Sequence, residues 1–289
     1  MFSPITINTT TTGRPLRLHL VSTGKGLDKT RFRQARFRNK LSILDAILDR
    51  RFTEWIPIWV LIIEHPDGTF IVDTGLDPAI SRPGYFKTSG LAVTRYMRSQ
   101  FRFRITPDDG IDQQLIKLNI PIPSVKAVIL THLHFDHTGG LRHFPQTPIL
   151  LNRKEWKRPA GALKKLYPPG FQPTLLDLNT PLDPFPNTCP LVPDNSLTLV
   201  HTPGHTPGHC SVLIKTDSGH ILFGGDACYT QDQLAETKFA ANMASYKAAK
   251  RTYRKIKEFA RNHPLCFLTT HDRESTDRLA QRTPLHFSQ

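Results

Sequence analysis

The segment from Thr131 to His137 sets three imidazoles and one carboxylate, His132, His134, Asp136 and His137, within six residues. Nitrogen and oxygen donors at that density are the chemistry of a metal site. The apolar run from Val125 to Leu130 just before them reads as a buried strand bounded by polar residues. The histidines therefore begin where a strand ends, which is where α/β proteins place their chemistry. While the chain is still extended, His132 and His134 point the same way and can share one metal. Asp136 and His137 follow as the chain turns towards Gly139 and Gly140, so they face another direction and can hold a second ion. The two glycines let the backbone pass close to the site.

A metal pair needs more ligands, and the chain offers His205, Asp226 and His271, each at the end of a later apolar segment. His205 lies in the loop from His201 to His209, where two Pro-Gly steps force turns after a strand-like run at 197–200. Of the three histidines in that loop His205 is taken as the ligand, with His201 and His209 as supporting or structural residues. Asp226 closes an apolar strand that begins at His220, and Gly224 and Gly225 bring its carboxylate close; one carboxylate can bridge two cations. His271 follows the strand-like run 265–270.

Other segments must carry these loops. Residues 56–64 and 69–73 read as two strands joined by the turn His65-Pro66-Asp67-Gly68. Residues 109–118 read as a helix, and 197–200 and 211–215 as strands framing the His205 loop. Tyr246, Ala249, Tyr253, Ile256 and Ala260 recur at helical spacing, with Lys and Arg on the outer face. Such a mixture predicts helices covering packed sheets. Residues 157–195 are rich in proline and poor in periodicity and read as a long surface loop.

In order and spacing these motifs resemble the metallo-β-lactamase superfamily, whose HxHxDH signature is met by His132, His134, Asp136 and His137. The resemblance implies an αββα sandwich, with one metal held by His132, His134 and His205, another by Asp136, His137 and His271, and Asp226 bridging both. It also makes Asp73 the residue that orients a ligand from behind, although by sequence an aspartate there could equally cap the next turn. The wording HLHFDH, the doubled HTPGHTPGH loop, and a tyrosine three residues after Asp226 are similar to the N-acyl homoserine lactonases. That likeness implies that Tyr229 leans over the metals and helps to hold a lactone carbonyl; local sequence alone would also allow a packed aromatic at a helix start. The resemblance covers roughly residues 56–275 and implies two divalent cations, expected to be zinc. Two segments, 27–55 and 76–106, look like insertions that shape the pocket or a dimer contact.

Two neighbouring cations lower the pKa of a shared water and so supply a bridging hydroxide as nucleophile. On a lactone, Tyr229 would stabilise the developing oxyanion, and Asp136 or the second metal would assist the departing alkoxide. The product is a ring-opened hydroxy acid. Alternatives on the same scaffold are hydrolases of another lactone, a thioester or an organophosphate ester, a nuclease, and an iron-dependent sulfur dioxygenase.

The chain has 289 residues, 38% of them hydrophobic, enough for a substantial core. Ligands spread from 132 to 271 must converge on one site, which favours a single domain over residues 1–289, with its core in 16–26 and 56–275. There is no apolar run of about eighteen residues, and residues 1–15 are polar and threonine-rich, so a soluble, cytoplasmic protein is expected. Cys189, Cys210, Cys228 and Cys266 form no close pair in sequence, which suits a reducing compartment; Cys228 is expected to pack rather than to ligate. The net charge of +14 gathers at 31–38, 95–104 and 247–261. Basic residues interleaved with aromatics can bind nucleic acid, but in the first two stretches Arg-Phe alternation also fits a strand or helix edge with snorkelling side chains.

Overall fold

Apolar runs in the N-terminal half, such as residues 56–63, build a mixed sheet, seen in the computed structural model, which describes residues 2–39 and 41–285. Met1, Lys40 and residues 286–289 lie outside it. The strands of this sheet are β1 (Ile5–Thr11), β2 (Arg14–Asp28), β3 (Ile56–His65), β4 (Gly68–Val72), β5 (Phe101–Arg104), β6 (Val125–Ile129), β7 (Ile149–Asn152) and β8 (Thr174–Leu176). They run in the order β1-β2-β3-β4-β6-β7-β8, with β5 paired to β2. A second sheet has the order β14-β13-β12-β11-β10-β9, built from β9 (Thr180–Leu182), β10 (Phe185–Pro190), β11 (Leu197–His201), β12 (Cys210–Thr216), β13 (Gly219–Phe223) and β14 (Leu265–Leu268). The helices are α1 (Thr30–Arg33), α2 (Leu41–Leu48), α3 (Leu91–Gln100), α4 (Ile111–Lys117), α5 (Phe135–Thr138), α6 (Arg153–Lys157), α7 (Gln231–Glu236), α8 (Tyr246–Asn262) and α9 (Ser275–Gln281).

The two sheets pack face to face through one set of alternate residues on each, while the other set of the central strands is buried under helices. Leu16, Leu18 and Leu20 of β2 and Trp59, Leu61 and Ile63 of β3 meet Leu197 and Leu199 of β11 and Val212 and Ile214 of β12. The opposite face of the first sheet, through Val60, Ile62, Ile71 and Val128, is covered by Ile111 and Leu115 of α4. On the outer face of the second sheet Leu213, Leu222 and Phe267 pack on Tyr253, Ile256 and Phe259 of α8. The architecture is the expected αββα sandwich, and each fully buried Leu, Ile or Phe contributes about 1.5–3 kcal/mol of hydrophobic stabilisation.

One expectation is corrected. Residues 157–195 are not one surface loop: they hold β8, which pairs parallel to β7, and β9 and β10, which extend the second sheet. Proline at 181 within β9 hides the strand from sequence patterning, and an edge position tolerates it because the missing N–H need not join a ladder. The threonine-rich start also forms structure, since Ile5 to Thr11 pairs antiparallel with β2 along its whole length.

The insertions at 27–55 and 76–106 meet each other where β5 pairs with the end of β2. Alternation along β5 exposes Arg102 and Arg104 and half-buries Phe101 and Phe103, so this Arg-Phe run is a strand with two unlike faces. Arg31 and Arg36 both reach the buried Asp45 of α2, at 2.9 and 2.6 Å. No helix among the described residues is long and apolar enough to cross a membrane.

Candidate metal centre

Parallel pairing decides where the ligands emerge. Val72 of β4 is opposite Ile129 of β6, so Asp73 and Thr131 leave the first sheet side by side. Phe223 of β13 is opposite Leu268 of β14, so the chain runs on to Asp226 and His271 at one edge of the second sheet. The loop after β11 brings His205 to the same edge. At Gly139 a β-carbon would lie 2.2 Å from the backbone nitrogen of Asp77, so only glycine lets the turn after α5 press against the loop after β4.

Seven predicted side chains converge as two groups that share Asp226. In the first, His132 Nε2 is 3.0 Å from His134 Nδ1, and His205 Nε2 is 3.2 and 2.9 Å from those two atoms. Asp226 Oδ2 lies 3.5 Å from His205 Nε2 and 4.0 Å from His132 Nε2. In the second, Asp226 Oδ1 is 3.4 Å from both His137 Nε2 and His271 Nε2. Asp136 Oδ2 stands 3.5 Å from His271 Nε2 and 3.9 Å from His137 Nε2. Each oxygen of Asp226 therefore faces one group.

The outer ring nitrogens fix which atoms carry protons. His134 Nε2 donates to the Ala160 carbonyl at 2.9 Å, His137 Nδ1 to Asp73 Oδ2 at 2.8 Å, and His271 Nδ1 to the Pro57 carbonyl at 3.1 Å. Thr131 Oγ1 donates to Asp73 and can accept from His132 Nδ1 at 3.1 Å. With the outer nitrogens of His132 and His134 protonated, their inner nitrogens are bare lone pairs. Lone pairs about 3 Å apart repel unless a cation lies between them, and His137 Nε2 and Asp226 Oδ1 have no hydrogen-bond partner although both are buried. These donors fit two divalent cations. Asp73, whose backbone lies in the left-handed region at φ 63°, also accepts from the backbone nitrogen of Thr131 at 2.8 Å and so ties β4 to the histidine loop.

Electrostatics divides the two groups. Burial pushes His132 and His205 well below the ordinary histidine value, and the neighbouring imidazoles add to the effect. Burial also opposes charge on His271, but Asp226 and Asp136 outweigh it and carry the pKa up to about 9. At His137 the same balance, with Asp73, Asp226 and Asp136 against burial, holds the pKa well above the ordinary range.

The metallo-beta-lactamase superfamily model matches residues 53–260. The chain belongs to that superfamily. An N-acyl homoserine lactonase from a Bacillus species is 31% identical over 191 residues, covering 64% of this chain and 70% of that one. Among solved structures, a variant of AiiA from B. thuringiensis with N-decanoyl-L-homoserine at its active site has a TM-score of 0.73 at 23% identity, covering 90% of this chain and 94% of that one. AidC, a dizinc quorum-quenching lactonase in complex with a product, has a TM-score of 0.62 at 16% identity, covering 93% of this chain and 90% of that one.

Both ligand groups reach a cavity of about 240 Å³. Asp136, Asp226, His134 and His271 reach the floor, and Leu27, Phe32, Val93, Met97, Phe101 and Phe103 supply apolar wall from both insertions. Tyr229 lines the cavity too, its ring centre 5.1 Å from that of His271 and 6.3 Å from that of His205. Its hydroxyl accepts from Asn242 Nδ2 at 2.8 Å. The two other histidines of the His205 loop stay out of both groups. His201 Nε2 donates to the Pro207 carbonyl at 3.0 Å. His209 Nδ1 donates to the Thr202 carbonyl at 3.1 Å, and its Nε2 accepts from the backbone nitrogen of Asp226 at 3.1 Å. Cys228 packs in the core beneath α8.

Sequence reading missed Asn242, the Ala160 carbonyl and Glu155. The first two are placed only by tertiary contact. Glu155, wholly buried, stands in a basic stretch with no pattern to single it out, and burial raises its carboxyl to about 7 against the pull of three hydrogen bonds.

Proposed function

We propose that this protein is a metal-dependent hydrolase that opens the lactone ring of N-acyl homoserine lactones. The observation that carries this reading is Asp226, whose two oxygens face two separate ligand groups at the floor of a cavity with a mainly apolar wall. The names of the relatives support the substrate class. When bound, two divalent cations polarise a carbonyl and generate a nucleophile at neutral pH.

The chain's own residues do the rest. His132, His134 and His205 would hold one cation and Asp136, His137 and His271 the other, with Asp226 offering an oxygen to each. Burial pushes the Tyr229 phenol well above its ordinary value, so it is a protonated donor at neutral pH. Asn242 occupies a lone pair of that oxygen, which leaves the hydroxyl proton for an acceptor in the cavity, here the lactone carbonyl oxygen as it gains charge. Asp136 reaches the cavity. Burial there opposes its charge, but His137 and His271 outweigh it and lower its pKa, so it is ionised and able to accept the proton that the attacking water gives up and pass it to the leaving alkoxide. The acyl chain lies along the aromatic wall, which also excludes water.

Zinc is the expected metal, because imidazole and carboxylate in this ratio suit it and the structural relative AidC is named as a dizinc enzyme. The free thiols of Cys189, Cys210, Cys228 and Cys266 fit a cytoplasmic setting. Elemental analysis together with a hydrolysis screen over N-acyl homoserine lactones, thioesters and organophosphate esters tests the reading. The expected result is about two zinc ions per chain and ring opening of the lactones. Cleavage of the thioester or phosphoester alone would move the assignment to another hydrolase on this scaffold.

A further inference from the structure

We infer that Glu155 is a positioning residue for the group formed by His132, His134 and His205, locking the two loops that carry those histidines into one register. The inference rests on the two-cation reading given above. Glu155 lies in the short helix α6, directly after β7, and is completely buried. Its Oε1 accepts from the backbone nitrogen of Leu133 at 3.2 Å, the residue between His132 and His134. Its Oε2 accepts from Thr206 Oγ1 at 2.6 Å and from the backbone nitrogen of Gly208 at 3.1 Å. One carboxylate therefore spans both loops, and each oxygen serves a different one.

The packing leaves no alternative route for that contact. A β-carbon on Gly208 would fall 2.0 Å from the Glu155 backbone nitrogen, so the His205 loop lies directly on α6. Asn152, at the start of α6, donates to the Gly208 carbonyl at 2.8 Å and braces the same point. None of the ion pairs found among the described residues includes Glu155, whereas a buried carboxylate ordinarily needs a cationic partner. A residue kept there purely for packing would be better as an amide or an apolar side chain. An amide cannot make these contacts, because Gln would turn an NH2 towards a donor on one loop or the other. Glu155 does not line the cavity, so it acts through the histidines and not on the substrate.

The test uses the full-length protein stripped of metal and titrated with cobalt against a chelator, in the parent, in Glu155→Gln and in Thr206→Val. The same titrations in a His271→Ala background, where the second group is incomplete, assign the affected equilibrium to the first. Glu155→Gln is expected to weaken one of the two cobalt equilibria by about 10–100-fold and to leave the other close to the parent value. Thr206→Val should act in the same direction and more weakly, with little further effect once residue 155 is Gln. A residue of merely structural importance would lower the melting temperature of the metal-free protein without separating the two equilibria. If Glu155→Gln does not fold, Thr206→Val decides alone. Parental affinity for both cations in the folded variants would overturn the inference. A parent protein that binds no cobalt at all would instead overturn the two-cation reading.

Discussion

The floor and the wall of the cavity are built by different physics. On the floor, ring nitrogens are aimed by hydrogen bonds of 2.8–3.1 Å to Asp73, Ala160 and Pro57, and the loops that carry them leave paired strand ends. On the wall, the side chains of Phe101, Phe103 and Phe135 are held by apolar packing without polar bonds, with ring centroids 6.1 Å apart for Phe101 and Phe103 and 5.5 Å for Phe103 and Phe135. Directional bonds tolerate almost no substitution, because an unpaired buried donor or lone pair costs about 1–3 kcal/mol. Ring packing accepts exchanges of similar volume at a smaller cost. Chemistry is thereby fixed on the floor while substrate preference can drift on the wall.

The comparison predicts its largest effect at Asp226. Asp226→Ala removes the carboxylate common to both groups, so metal content should fall from about two ions per chain to below one, with hydrolysis falling about a thousandfold or more. His209→Ala should retain most of the metal, since both ring nitrogens are already engaged outside the two groups, Nδ1 with the Thr202 carbonyl and Nε2 with the backbone nitrogen of Asp226. Equal metal loss in the two variants, read by elemental analysis, would mean that the carboxylate is not the shared ligand.

Tyr229 stands where floor and wall meet. Tyr229→Phe keeps the ring and its contacts with His271 and His205, so the melting temperature and metal content should hold while kcat on a lactone drops by roughly ten- to a thousandfold. An unchanged kcat would reduce Tyr229 to a packed aromatic of the wall.

Substitutions in the wall proper should act through KM and chain-length preference. Met97→Ala or Phe103→Ala enlarges the apolar cavity and should weaken long-chain lactones by about tenfold, with short-chain substrates nearly unaffected. A loss of kcat shared by all chain lengths would show that the wall also positions the reacting groups.

The two regions also differ in how far sequence revealed them. His132, His134, Asp136 and His137 were legible because so few residue types bind metal and because four of them follow one buried run. Asp226 and His271 each end an apolar strand, but were legible only beside that cluster, since alone one would read as a turn or helix-cap aspartate and the other as an ordinary histidine. Of the wall only the segments were legible, as the insertions 27–55 and 76–106 that shape the pocket; which residues face it was not, since Leu27, Phe32, Met97 and Phe103 meet through the pairing of β5 with β2, a tertiary event with no local signature. The strands at 174–190 escaped for another reason: they are short, two of the three contain proline, and pairing with neighbours rather than local pattern makes them strands. Glu155 and Asn242 are single polar residues whose meaning exists only in the fold.

Within the floor, the two ligand groups should give metal-free protein opposite responses to pH. His132 and His205 have folded pKa values well below that of the unfolded chain, so protons bind preferentially to the unfolded state and stability falls as pH drops below about 6.5. The pKa of His271 is raised to about 9; its contribution is complete below about 6.5 and is lost as pH rises through 9. The melting temperature of the stripped protein should therefore peak near pH 6.5 and decline by several degrees on both sides. Adding metal should abolish the alkaline decline, because ligation replaces the proton. A melting temperature that climbs steadily from pH 6.5 to 9 without metal would contradict the proposed charge on His271.

The smallest effect belongs to the outer side of the wall. Along β5 the side chains alternate, so Phe101 and Phe103 face the cavity while Arg102 and Arg104 lie outside, their guanidinium carbons 4.7 Å from the Phe52 ring centre and 5.9 Å from that of Trp55. Exposed cation–ring contacts of this kind contribute about 0.5–1 kcal/mol. Replacing both arginines by Gln should lower the melting temperature by only a few degrees and leave kcat/KM on a lactone within about twofold. The same double variant separates the lactonase from the nuclease reading of the basic stretches, because a polyanionic substrate would lose affinity steeply with each cation removed and with added salt. Retained lactone hydrolysis in the double variant would make the Arg-Phe pattern a property of the strand, with phenylalanine serving the cavity and arginine the solvent. A large loss would carry the functional surface beyond the cavity and join the two faces of β5 that the fold keeps apart.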